Sequence, residues 1–148
     1  MRPTVFFTLL ILLAGIFSFS PAGNFGTAED VLTYTNAFRK SKGLNDLQSN
    51  SALDAIARKH SENMASGKVK FGHDGFAKRN QQAKQDVPGL RYFAENVAFG
   101  VPTGEAAVNL WKNSEGHRKN MLGKFAKIGI GVAKDKNGRI FYTQVFSD

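Results

Sequence analysis

Residues 127–146 constrain the fold more than any other stretch of the chain. Ile128, Ile130 and Val132 alternate with Gly129, Gly131 and Ala133; Asn137-Gly138 then interrupts the run, and Ile140 to Phe146 returns rich in aromatic and β-branched residues. Alternation at period two marks a strand with two unlike faces, and Asn-Gly between apolar runs is the strongest short-range hairpin signal. One face of the first strand carries almost no side chain, so a helix or loop can approach it closely. The end of the chain therefore predicts an antiparallel sheet against which another layer packs.

Upstream, the apolar period changes to that of helices. Val31, Tyr34 and Phe38 recur at helical spacing, with Thr27 as a cap and Glu29 and Asp30 at the positive end. Lys40, Lys42 and Gly43 supply a stop, which predicts a helix over 28–42. The segment 45–50 is polar and turn-like, pinned by Leu44 and Leu47. A second helix is expected over 50–66, with Leu53, Ile56, Ala57, His60 and Met64 on one stripe. That stripe makes His60 a hydrogen-bonded core or rim residue rather than a ligand. Ala77 to Asp86 reads as a short, polar surface helix, and Pro88-Gly89 as a turn. Thr103 caps a third main helix over 104–114, in which Ala107, Leu110, Trp111 and Ser114 share a face. The expected class is α+β, with helices covering an antiparallel sheet.

The N-terminus has a different composition. Arg2 precedes a nearly unbroken apolar run from Val5 to Phe19, and Ser20-Pro21-Ala22 offers small residues for cleavage. This pattern predicts a secretory signal peptide over 1–22, cut after Ala22, and a short leader over 23–27. The apolar core is too short and lacks the charged stop of a membrane span. A single domain over 28–148 remains, long enough to bury roughly two-thirds of its unfolded surface without disulfides. The chain has no Cys, so neither disulfides nor a lipoprotein anchor is available. The expected location is outside the cytoplasm, secreted or periplasmic.

The formal net charge is +8 over the 148 residues. Such an excess favours anionic partners, such as a surface polymer or a membrane. Basic residues do not interleave with aromatic ones as a single-stranded nucleic-acid site requires, so nucleic acid is disfavoured as a partner.

The polar residues that stand out are few. His73 lies between glycines in Phe71-Gly72-His73-Asp74-Gly75-Phe76, on a loop that can bend sharply. Glu95 and Asn96 interrupt the apolar run Phe93 to Phe99. A carboxylate there is expected to be paired, with Asn96 beside it offering a second hydrogen-bonding group to the same site. Beyond Trp111 the chain turns at Gly116 and presents His117, while Arg118 and Asn120 tie the turn down before Met121 and Leu122 re-enter the core. Nucleophilic catalysis lacks support: there is no Cys and no Gly-x-Ser-x-Gly elbow, and Ser114 with His117 spans a helix end as a capping pair does.

Several ordered motifs together resemble the CAP superfamily of cysteine-rich secretory proteins, antigen 5 and class-one pathogenesis-related proteins, in particular its bacterial SCP-like branch. They are Phe38-Arg39-Lys40-Ser41-Lys42-Gly43-Leu44, His60-Ser61-Glu62-Asn63-Met64-Ala65, Phe71-Gly72-His73, Ala94-Glu95-Asn96-Val97-Ala98, Trp111-Lys112-Asn113-Ser114-Glu115-Gly116-His117-Arg118, Ile128-Gly129-Ile130-Gly131-Val132 and Tyr142-Thr143-Gln144-Val145-Phe146. The resemblance implies an α-β-α sandwich with a central groove, in which many members hold a divalent ion on two His and two Glu. His73 matches the first histidine and Glu95 the first glutamate. Ser114 stands where the second glutamate lies, with Glu115 one residue on and about 100° around the helix. Phe141 replaces the second histidine, and His117 is the candidate substitute.

The groove cluster is thus His73, Glu95, Ser114, Glu115 and His117, with His60, Asn96, Trp111, Asn120, Tyr142 and Gln144 as structural residues. Two functions compete. One is a non-catalytic secreted binding module for a small amphipathic ligand, a lipid or sterol, or an anionic surface polymer. The other is a metal-dependent hydrolase with Zn²⁺ or another divalent ion on His73, Glu95 and His117.

Overall fold

A computed structural model describes residues 27–148. The expected signal peptide and most of the leader lie outside the described residues. The elements are α1 (Ala28–Lys40), β1 (Gln48–Ser49), α2 (Ser51–Ala65), α3 (Phe76–Asp86), β2 (Phe93–Phe99), α4 (Gly104–Lys112), α5 (Glu115–Met121), β3 (Lys127–Lys134) and β4 (Ile140–Ser147). The sheet order is β1-β3-β4-β2. The β3–β4 and β2–β4 pairs are antiparallel, and β1 joins β3 in parallel through two residues. The turn-like reading of 45–50 thus gives way to a short edge strand.

Helix starts follow local chemistry. Thr27 and Asp30 form a reciprocal capping box on α1, Asn50 caps α2 through Ala52 and Leu53, and Thr103 caps α4 through Ala106. The hairpin connection is five residues long. Asp135 accepts from the backbone N–H groups of Asn137 and Arg139, and Gly138 takes φ +80°.

Alternation along the strands sorts the core into two layers. Tyr142 and Phe146 of β4, with Ile128 and Ile130 of β3, pack against Val31 of α1, Ala107, Val108 and Trp111 of α4 and Met121 of α5. Val145 faces the other way, toward Leu53, Ile56 and Ala57 of α2 and Ala83 of α3. This is an α-β-α sandwich. The glycine face of β3 admits α2 at very short range: a Cβ at Gly129 would collide with Leu53, and one at Gly131 with the Ala57 backbone.

Three local expectations need correction. Residues 115–121 form a helix rather than an open turn, because α4 ends at Lys112 and Ser114 restarts the helical register. Leu110 is 49% exposed, so the buried face of α4 is Ala107, Val108 and Trp111. Tyr34 is likewise exposed; α1 buries Val31, Thr35 and Arg39. Arg39 is accommodated because it donates to the carbonyls of Asn45, Met121 and Gly123, holding the α1 end to the loop before β3.

Candidate functional site

The edge strand β2 organises the site. Glu95 and Asn96 are consecutive and therefore point into opposite layers. Asn96 does not serve the site of Glu95, as adjacency in sequence suggested.

On the α2–α3 side, Glu95 is buried and both its oxygens are engaged. Arg79 of α3 donates from Nε to Oε2 at 2.6 Å and from Nη2 to Oε1 at 2.7 Å. His73 Nδ1 lies 2.8 Å from Oε1, which fixes the ring through a hydrogen bond to the carboxylate. Arg79 also donates to the backbone carbonyl of Asp74, clamping the glycine-flanked loop that carries His73. His60 closes the cluster from α2, with Nε2 2.9 Å from the carbonyl of Gly72 and 3.9 Å from Glu95 Oε1. Burial pushes the His60 pKa below its ordinary value. Arg79 is the residue that sequence reasoning missed. Its helix reads as polar surface, and the one available signal was the need for Glu95 to be paired.

On the α4–α5 side, Asn96 Nδ2 donates to the carbonyl of His117 and to Gln144 Oε1, each at 3.1 Å. Asn120 Nδ2 donates to Asn96 Oδ1 at 2.9 Å and to the Glu95 carbonyl at 3.2 Å. Gln144 continues the network to Thr35 of α1. Trp111 Nε1 donates to the Val97 carbonyl, and the Tyr142 hydroxyl to that of Val101. Asn96, Asn120 and Gln144 thus pin α5 and α1 onto the sheet.

Above this network opens a cleft of about 270 Å³. Its walls are Phe71, Val97, Phe99, Leu110 and Trp111, and its polar end is Ser114 and His117. Phe71 and Phe99 are in ring contact at 4.5 Å between centroids, and both are exposed, like Leu110. Ser114 occupies the cap position of α5 without its side chain capping the helix. Burial, followed by the proximity of His73, pushes the His117 pKa below its ordinary value, which favours the neutral ring. Glu115 is exposed and does not line this cleft.

The donor set does not suit a resident Zn²⁺ as arranged. A metal on Glu95 would have to displace Arg79 or His73 from its oxygens. Among the described residues, no group of three or more His, Cys, Asp or Glu stands close enough to hold an ion. Phe141, in place of a second family histidine, is buried and stacks on Phe99.

Comparison with known proteins agrees with this architecture. The CAP profile, described as the cysteine-rich secretory protein family, matches residues 32–146. The uncharacterized protein YkwD of Bacillus subtilis is 38% identical over 119 residues, covering 78% of this chain and 45% of its own length. An SCP-domain extracellular protein of Bacillus anthracis superposes with TM-score 0.69 at 31% identity, covering 80% of this chain and 39% of that one. An outer surface protein of Borrelia burgdorferi superposes with TM-score 0.71 at 20% identity, covering 81% and 90%, a likeness of fold alone. The chain spans less than half the length of the two curated Bacillus subtilis relatives it matches.

Proposed function

Because the chain belongs to the CAP family of cysteine-rich secretory proteins, we propose that it is an extracellular, non-catalytic binding module. Its ligand is a small single-chain amphiphile held in the cleft of Phe71, Phe99 and Leu110. The observation that carries this reading is the contrast across β2. Around Glu95 every carboxylate oxygen is already satisfied. At the end of the cleft, the Ser114 hydroxyl and the His117 ring have no hydrogen-bond partner among the described residues. Apolar walls with a few converging polar groups are the usual makeup of a ligand site, and the volume lies just below the usual range of roughly 300–1,000 Å³, which suits a small ligand.

In this reading, the apolar tail lies against the aromatic walls, and a carboxyl or hydroxyl head meets Ser114 and the neutral His117. The cluster of His60, His73, Arg79 and Glu95 braces the loop that carries Phe71. Export rests on the Val5–Phe19 segment and on likeness to a Bacillus anthracis protein described as extracellular. No helix among the described residues is long and apolar enough to cross a membrane. A hydrolase using His73, Glu95 and His117 would first have to release Glu95 from Arg79, which makes it the weaker reading.

Calorimetric titration with dodecanoate, in chelator, tests the proposal. One site is expected in the wild type, at least tenfold weaker in Leu110→Asp. Equal affinity in both proteins, or no binding to either, refutes it.

A further inference from the structure

A second cleft, of about 380 Å³, lies between α2 and α3, behind the Glu95 cluster. Each helix contributes a matching pair at i, i+4: Lys59 and Asn63 from α2, Lys78 and Gln82 from α3. Spacing of four residues places each pair on one helical face. Lys59 and Lys78 are exposed, and no residue among those described forms an ion pair with either. The amides of Asn63 and Gln82 are also free of side-chain partners among the described residues. From these placements we infer that this cleft is a binding site for a phosphate group, distinct from the amphiphile cleft and independent of its function.

The choice of phosphate follows from which donors are free. Arg79 also lines this cleft, but its Nε and Nη2 hold Glu95 and its Nη1 holds the Asp74 carbonyl. No planar guanidinium fork remains to take a carboxylate bidentately. The free donors are two compact ammonium groups and two amides. These can arrange around the tetrahedral oxygens of a phosphate. Asp74 places one negative charge on the rim, so Lys59 and Lys78 leave a single positive excess once Arg79 is neutralised by Glu95. That balance fits a singly charged phosphodiester better than a dense polyanion. The +8 charge of the chain draws such ligands to the surface.

The group can come from a polyol-phosphate chain, a phospholipid headgroup or free phosphate, and the test separates them. Wild type, Lys59→Gln/Lys78→Gln and the control Lys124→Gln/Lys136→Gln are titrated at low ionic strength with inorganic phosphate and with a glycerol phosphate oligomer. Each is also sedimented with phosphatidylglycerol vesicles. At least one probe should bind the wild type, at least tenfold more weakly in the cleft variant and within twofold of wild type in the control. Which probe binds identifies the source of the phosphate. Both lysines are exposed, so the cleft variant should fold, and its dodecanoate affinity should equal that of wild type. Failure of all three probes to bind the wild type, or an equal loss in the control, overturns the inference.

Discussion

Arg79 holds both carboxylate oxygens of Glu95, at 2.6 and 2.7 Å, across the gap between α3 and the edge strand β2. Glu95 is 5% exposed, so removing the arginine leaves a buried charge whose one remaining side-chain hydrogen bond is to His73, with His60 3.9 Å away. Loss of one partner from a buried pair costs about 3 to 5 kcal/mol. Arg79→Met should lower stability by that amount in urea denaturation, and Arg79→Met/Glu95→Gln should recover part of the loss. A single-variant effect below about 1 kcal/mol would contradict the brace.

Asn96 supports the opposite layer through three side-chain hydrogen bonds, to the His117 carbonyl, Gln144 and Asn120. Asn96→Ala strands three polar groups on two elements, α5 and β4, each costing about 1 to 3 kcal/mol where no water enters. The expected loss is about 3 kcal/mol, with α5 amides becoming the most exchangeable of the helices by hydrogen exchange. Uniform exchange across all helices would assign Asn96 a local role only.

Gly131 has no room for a side chain, since an added Cβ meets the α2 backbone at Ala57 and Arg58. Backbone cannot yield as a side-chain tip can, so Gly131→Ala should exceed the usual overpacking cost of about 1 to 3 kcal/mol. Gly67→Ala provides a contrast: its Cβ would meet nothing, and its cost comes from φ +74°. The midpoint of Gly131→Ala should fall below that of Gly67→Ala. The reverse order would displace α2 from the glycine face.

The pH dependence follows from His60 and His117, both pushed below the ordinary histidine value, chiefly by burial. In the unfolded chain each takes up a proton as pH falls through about 6.5. The folded protein resists that uptake, so the unfolded state binds more protons and stability declines as pH drops below that point. Asp148, held at about 2 by the Tyr92 and Arg91 backbone N–H groups, titrates far below this window. Denaturation midpoints should fall from pH 7 to pH 5, and His60→Gln should flatten the slope. A midpoint that rises on acidification would contradict the burial of neutral His60.

Glycine alternation in β3 and the apolar stripe of α2 made an antiparallel sheet covered by helices legible, because both are local patterns that directly encode faces; the full α-β-α sandwich was implied by the family resemblance. The pairing of Glu95 was legible too, since a carboxylate within an apolar strand needs a partner. Arg79 was not, because it sits in a polar helix and reaches Glu95 only through the fold. Asn96 misled for a simpler reason: adjacency in sequence puts strand neighbours on opposite faces. Leu110 carried a helical core signature yet faces outward, because the width of the apolar stripe on α4 exceeds the surface that the sheet covers. That uncovered edge is one wall of the cleft that ends at Ser114 and His117.

Trp111 is the one tryptophan in the chain and lines the cleft, so its fluorescence reports directly on occupancy. Titration with a bromine-labelled fatty acid, once in chelator and once with Zn²⁺ added, is the most direct test of a metal-independent binding module. Saturable quenching of the same affinity is expected in both conditions, at least tenfold weaker in Leu110→Asp. Quenching that appears only with Zn²⁺, or none at all, would contradict it.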